Sequence, residues 1–312
     1  MVIQEILRKK KLGVAILEQI GNTPLLNLAQ INREVPHVTL LAKAEWFNPG
    51  GSVKDRAAAS IVDEAERAGK LTKDKVLLDA SSGNTGIAYA MIGAAKGYQV
   101  ELAIPQNASD HVFETIQGFG ASVIQTSPLE SSDGAIREAR RRVQKNPERY
   151  FYADQYNNPA NWKAHYKTTG VELWNQTRGA ITHLIAGLGT TGTLMGTGKR
   201  LKEYNPSIQL VAVQPDSPMH GLEGLKHMAT SIVPSIYEEA FPDQQATVQT
   251  EDAYGCVKRL AKEEGLSVGI SAGAALAASL KLASEITEGT IVMIFPDSGT
   301  RYLDEPFWRQ ES

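Results

Sequence analysis

Short runs rich in β-branched and other apolar residues alternate along the chain with longer segments whose apolar positions recur at helical spacing. The runs 37–46 (HVTLLAKAEW), 75–80 (KVLLDA), 98–105 (YQVELAIP) and 121–127 (ASVIQTS) predict strands, as do 182–187 (THLIAG), 208–215 (IQLVAVQP) and 290–297 (TIVMIFPD). Between them, 84–96, 135–144, 193–204, 253–264 and 274–284 predict helices. This alternation predicts an α/β architecture of mainly parallel sheets flanked by helices. Ligands in such folds bind beyond the carboxyl ends of the strands, so the strand-to-helix loops are the segments to read for chemistry. The polar stretch 156–163 (YNNPANWK) is expected to carry the chain from one lobe to another.

Composition narrows the classes. At 312 residues the chain can hold one large domain or two ordinary ones. Hydrophobic residues make up 42% and charged residues 21%, as in an ordinary globular protein. The net charge of −3 leaves no electrostatic footprint for nucleic acid or an anionic membrane. The single cysteine, Cys256, rules out an intramolecular disulfide and suits a reducing, cytoplasmic compartment. The six histidines show no i, i+4 pair, so a metal site is not expected. The opening MVIQEILRKKKLGVAILEQIG places Glu5 before its basic cluster and lacks an uninterrupted apolar region. It reads as a short amphipathic helix packed on the body or on a partner subunit, not as a secretory signal, and no later segment is expected to span a membrane.

Four Gly/Ser/Thr loops stand out: 80–90 (ASSGNTGIAYA), 187–196 (GLGTTGTLMG), 269–278 (GISAGAALAA) and 296–303 (PDSGTRYL). A loop of this kind at a helix N-terminus offers free backbone N–H groups and a favourable dipole to an anion. A fifth segment, 46–58 (WFNPGGSVKDRAA), places Lys54 after a Pro-Gly-Gly breaker and before a helix-forming Ala57-Ala58-Ala59. A lysine gains nothing from the dipole at a helix start. The 187–196 loop also spells G-x-G-x-x-G through Gly187, Gly189 and Gly192, with Asp216 after the next strand, which admits a dinucleotide-dependent oxidoreductase. That reading leaves Lys54 and the 81–86 loop without a role. A small phosphorylated cofactor carrying an aldehyde gives every loop one.

NPGGSVKDR, SSGNTG, GTTGT, GISAGA and PDSGTRYL, in this order and spacing, resemble the pyridoxal-phosphate enzymes of the tryptophan synthase β fold type, above all the cysteine synthases (O-acetylserine sulfhydrylases). The resemblance runs from about Leu17 through IGNTPLL (20–26) to about Leu303. It implies pyridoxal 5′-phosphate as cofactor and Lys54 as the lysine that bonds it covalently. It further implies Asn84 at the cofactor 3′-oxygen, Gly189, Thr190, Thr191, Gly192 and Thr193 around its phosphate, and Ser271 at the pyridine nitrogen. Ser81, Ser82, Thr85 and Gln155 resemble the group that clasps the substrate carboxylate. The resemblance also implies a smaller, mobile, substrate-clasping lobe over 48–160, a larger lobe from 1–47 and 161–312, and a homodimer. Some such enzymes bind the C-terminus of the serine acetyltransferase that supplies their substrate.

The departures refine the expectation. Thr191 replaces a glycine common in the phosphate loop, as in B-type isozymes, whereas Pro296 resembles the A-type pattern. Ala272 replaces a serine common beside the pyridine-binding one, and Ser81 stands where threonine is usual. None removes a required donor. A hydroxyl such as Ser271 at the pyridine nitrogen makes a weaker electron sink than a carboxylate and favours expulsion of a β-leaving group over transamination or racemisation. The implied reaction is therefore a ping-pong β-replacement on O-acetyl-L-serine by sulfide, with Lys54 as general base. O-phosphoserine and thiosulfate are the alternative substrates, because Lys226 in HGLEGLKHM (220–228) stands about where an arginine occurs in B-type and O-phosphoserine-using members. Against that, Lys226 also reads as a solvated loop lysine. A serine/threonine dehydratase and a cystathionine β-synthase are further alternatives; neither a haem-binding N-terminal region nor a C-terminal regulatory module is recognised. A docking scaffold without turnover is the alternative from outside enzymology.

Overall fold

The computed structural model describes residues 13–81 and 83–309. The amphipathic helix expected at the N-terminus falls mostly outside these residues; within them, Ile16–Gln19 forms a single 3₁₀ turn. In chain order the strands are β1 (Leu25–Asn27), β2 (Val38–Ala44), β3 (Val76–Ala80), β4 (Gln99–Pro105), β5 (Ser122–Thr126), β6 (Tyr150–Tyr152), β7 (His183–Gly187), β8 (Gln209–Pro215), β9 (Gln244–Val248) and β10 (Gly289–Phe295). They form a six-stranded sheet, β1-β2-β10-β7-β8-β9, and a four-stranded sheet, β5-β4-β3-β6. Every pairing is parallel except β1 with β2. The chain leaves the six-stranded sheet after β2 and returns to it at β7.

Strands covered on both faces by helices should be apolar throughout, and β3 is buried at all five positions. Period-2 alternation sorts neighbouring residues of the larger sheet into two cores. Ile185, Val211, Ile291 and Met293 face the helices Thr250–Glu264 and Ile270–Glu285. Leu184, Leu210, Val292 and Ile294 pack with Leu194 and Leu201 of helix Gly192–Tyr204.

The seven anticipated strands are present within two residues of their expected limits. Three of the anticipated helices start three or four residues earlier, at Ser131, Thr250 and Ile270, because their first turns are mostly polar or small residues that carry no apolar period. The short strands β1, β6 and β9 and the helices Asp110–Gly118, Ala160–Lys167 and Thr169–Gln176 add to the pattern read from sequence. No strand leads into the 269–278 loop; Val268 makes only an isolated bridge to Ser298.

Helix Lys54–Arg67 is fixed by a buried ionic network that begins two residues after its first. Arg56 donates to both carboxylate oxygens of Glu45, at 2.7 and 2.9 Å, and to both of Glu172, at 2.6 and 2.8 Å. Lys43, on β2, reaches Glu172 at 2.6 Å and the Thr23 carbonyl at 2.6 Å. Burial alone would push the Glu45 and Glu172 carboxyls up. The Arg56 guanidinium overcomes it, holding Glu45 below its ordinary value and Glu172 at about 2.

Truncating Arg56 would strand Glu45 as an unpaired charge with no exposed surface. Arg56→Ala should lower unfolding free energy by about 3–5 kcal/mol in urea titrations. Glu172 titrates near 2 when folded and near 4.5 when unfolded, so its contribution is complete above pH 4.5 and is lost as pH falls towards 2. The wild type should lose stability over that window, and Arg56→Ala should lose less.

Candidate active site

The Pro49-Gly50-Gly51 turn has a specific job. Gly51 adopts φ +80, and a Cβ there would meet Arg301 Nη2 at 2.8 Å. Gly50 donates to Asp55 Oδ2 at 2.5 Å, and Val53 donates to the Pro296 carbonyl at 2.8 Å, just past the end of β10. The turn therefore delivers Lys54 to the place where β7 and β10 end. Lys54 lines a pocket with Asn84, Gly189, Thr190, Thr191, Thr193 and Ser271. Burial is the main cause that lowers its ammonium pKa; Asp297 opposes the shift and Arg301 adds to it.

After β7, the chain passes through Gly187–Thr191 and enters helix Gly192–Tyr204. Thr191 holds a left-handed φ of 68, and its hydroxyl is buried without a hydrogen-bonding partner. Crowding excludes a side chain at two positions here: a Cβ on Gly189 would lie 2.5 Å from the Gly224 carbonyl, and one on Gly192 2.0 Å from Asn161 Oδ1. Behind the loop, Thr193 meets His165 Nε2 at 3.3 Å, and Thr169 meets His165 Nδ1 at 2.9 Å. Burial first, then the nearby Arg56, pushes the His165 pKa down to about 3, so the imidazole is neutral.

Beside this pocket opens a cavity of about 460 Å³ lined by Lys54, Ser81, Asn84, Thr85, Gln155 and Lys226. Ser81 Oγ accepts from the Gly83 and Gly86 N–H groups at 3.1 and 2.9 Å, so this hydroxyl shapes the helix entry. Thr85 donates to Gln155 Oε1 at 2.7 Å, and Gln155 Nε2 donates to the Ala80 carbonyl at 2.6 Å. Ser82 lies outside the described residues. Asn84 donates to Asp297 Oδ2 at 2.6 Å and accepts from Arg301.

Eleven of the thirteen residues singled out from sequence thus line two adjoining spaces, and Gly192 stands in the chain between Thr191 and Thr193, which line one of them. Lys226 is not a solvated loop lysine: it is buried, ion-paired with Asp133 at 3.1 Å and hydrogen-bonded to Ser132 at 3.2 Å. Asp297 and Arg301 were visible within a quoted motif, but nothing in the sequence paired them with Asn84. Glu223, which lines both spaces, sits inside a segment read only for its lysine.

Residues 16–297 match the family described as pyridoxal-phosphate dependent enzyme. The chain belongs to this family. A cysteine synthase of Aquifex aeolicus is 53% identical over 300 residues, covering 94% of this chain and 92% of the relative. A cysteine synthase B of Pseudomonas aeruginosa is 40% identical, covering 92% and 95%. The crystal structure of an O-acetylserine sulfhydrylase isoform from Entamoeba histolytica superposes with a TM-score of 0.89 at 33% identity, covering 97% of this chain and 94% of that one. The chain is thus similar to cysteine synthases over nearly its whole length.

The residues present fit the family's cofactor. The orphaned Thr191 hydroxyl and the first-turn N–H groups of helix Gly192–Tyr204 are donors suited to a phosphate. The enclosed lysine with a lowered pKa suits an aldehyde. Gly192→Ala should therefore keep the circular dichroism of the wild type but weaken pyridoxal phosphate binding by about tenfold or more in absorbance titrations of the apoprotein, because its Cβ meets Asn161.

Proposed function

We propose that the chain is a cysteine synthase that replaces the acetoxy group of O-acetyl-L-serine with sulfide, giving L-cysteine and acetate. The observation that carries this reading is the convergence of Lys54, the Gly189–Thr193 loop and Ser271 on one pocket that opens into the cavity lined by Thr85 and Gln155. Bound pyridoxal phosphate supplies the electron sink that stabilises negative charge at the substrate α-carbon. Gly189, Thr190, Thr191, Gly192 and Thr193 would hold its phosphate, Ser271 would meet its pyridine nitrogen, and Asn84 its 3′-oxygen.

Lys54 carries two duties. Its amine would hold the cofactor, and when free it would take the substrate α-proton. That step needs the neutral amine, which burial favours. Thr85 and Gln155, whose mutual hydrogen bond fixes both, clasp the substrate carboxylate with Ser82, while Ser81 holds the loop that presents them. Acetate would leave from the β-carbon, hydrosulfide would add there, and the proton held by Lys54 would return to the α-carbon.

Lys226 supports acetate over phosphate as the leaving group. Its ammonium is engaged by Asp133 and Ser132, on a helix of the four-stranded sheet, while its own loop packs on the six-stranded one through the Lys226 N–H and the Leu188 carbonyl, at 2.7 Å. We read it as a contact that closes the cleft between a smaller lobe, 48–160, and a larger one, 1–47 with 161–312. A B-like active site in a cytoplasmic homodimer completes the proposal, the single buried thiol of Cys256 suiting a reducing compartment. A serine acetyltransferase C-terminus is the proposed protein partner, able to enter the same cavity as the substrate carboxylate does.

Purified holoenzyme should form L-cysteine from O-acetyl-L-serine and sulfide, and Lys54→Ala should lose about three orders of magnitude or more in kcat. Full activity in that variant would contradict the proposal. Lys226→Ala should lower kcat/KM for O-acetyl- and O-phospho-L-serine by similar factors. A loss confined to the phospho-substrate would make Lys226 a phosphate reader.

A further inference from the structure

Seven residues line both the cofactor pocket and the substrate cavity, among them Lys54, Asn84 and Glu223. Glu223 stands out because it is acidic and faces the helix that starts at Asn84: a Cβ on Gly83 would lie 3.6 Å from Glu223 Oε1. Among the described residues its carboxylate accepts no hydrogen bond and forms no ion pair. Two of the cations around the cavity are engaged elsewhere, Arg301 by the Gly50 carbonyl and Asn84, and Lys226 by Asp133 and Ser132; the third, Lys54, is the amine proposed to bond the cofactor.

We propose that Glu223 is a specificity-determining residue that turns away doubly charged leaving groups, so that the cavity admits an acetyl ester and rejects a phosphate ester. The inference rests on the β-replacement reading above and deepens it. A carboxylate opposing a phosphate dianion across a partly enclosed cavity is a repulsive element of the kind that discriminates between substrates of similar shape. An uncharged ester meets no such repulsion.

The groups that face Glu223 set when the repulsion acts. Burial raises its pKa most, Asp297 and Glu305 raise it further, Arg301 lowers it, and the result is about 7. Lys54, His220, Lys226, Tyr156, Tyr254 and Tyr302 are the other titratable groups that line the cavity. Below pH 7 Glu223 is mostly neutral, and above it mostly ionised, so discrimination against phosphate strengthens as pH rises. The phosphate ester gains its own second charge near pH 6 in every variant. That common titration cancels when variants are compared.

The test compares wild-type and Glu223→Gln holoenzyme, measuring kcat/KM for O-acetyl- and O-phospho-L-serine with sulfide between pH 6 and 8. At pH 8 the phospho-to-acetyl ratio should rise by about tenfold or more in Glu223→Gln, and the steep fall of that ratio with pH should flatten. Because the ratio is internal to each preparation, a partly misfolded variant does not imitate the result. Inorganic phosphate, titrated against both holoenzymes at pH 8 by intrinsic fluorescence, should bind the variant about tenfold more tightly or better. An unchanged ratio together with unchanged phosphate affinity, in an enzyme that does turn over O-acetylserine, overturns the role of Glu223 alone. A wild type that turns over neither ester overturns the β-replacement reading and this inference with it.

Discussion

The rest of this structure depends on holding an aliphatic amine in an enclosed site at a fixed height. Lys54 opens a helix, and a lysine at that point has neither the dipole nor bulk water to favour its charge. Something stronger must fix the backbone that carries it. Arg56 does so with charge-assisted hydrogen bonds to two carboxylates, one of them fully buried, and Lys43 completes the network. Removing one partner of such a network is far more costly than its net contribution would suggest, because the remaining charge stays buried. The network ties β2, helix Lys54–Arg67 and helix Thr169–Gln176 into one frame. Against that frame the Pro-Gly-Gly turn can aim the amine.

The sheets supply the other half of the arrangement. Parallel strands of a sheet end on the same side, and Asn84 after β3, Gly189 after β7 and Asp297 after β10 line one pocket. The first two lead into helices, Asn84–Lys96 and Gly192–Tyr204, and the third into a 3₁₀ turn, Gly299–Tyr302. Gly189 and Gly192 are needed because neighbouring backbone and Asn161 leave no room for a side chain. Neutral His165, wedged between Thr169 and Thr193, backs the loop without adding a charge. Polar side chains converge on a site whose walls are otherwise backbone and packed apolar residues.

Much of this was legible in the sequence, for physical reasons. Strands buried on both faces betray themselves as apolar runs, and breaker residues mark the loops between them. Lys54 could be singled out because Pro49-Gly50-Gly51 and the alanines after it bracket it on opposite sides. What stayed hidden was either short or non-local. β6 is three residues long, and β9 reads QQATV with exposed glutamines, so neither carries an apolar period. Arg56 meets Glu172 across 116 positions and Lys226 meets Asp133 across 93; no local pattern encodes such a pairing. Glu223 was hidden differently, its acidity being ordinary for a surface loop until the fold turned that loop inward.

The central claim is that Lys54, and no other lysine, is the amine that bonds pyridoxal phosphate. Lys226 also lines the cavity, and Lys43 is buried nearby, so the claim is a choice among real competitors. Lys43 is engaged by Glu172 and Gln176, and Lys226 by Asp133 and Ser132, which leaves Lys54 as the lysine in both adjoining spaces. Borohydride reduction of the holoenzyme followed by peptide mass spectrometry tests it most directly. The account predicts one stoichiometric pyridoxyl-lysine, at Lys54; label at Lys43 or Lys226, or label spread over several lysines, would contradict it.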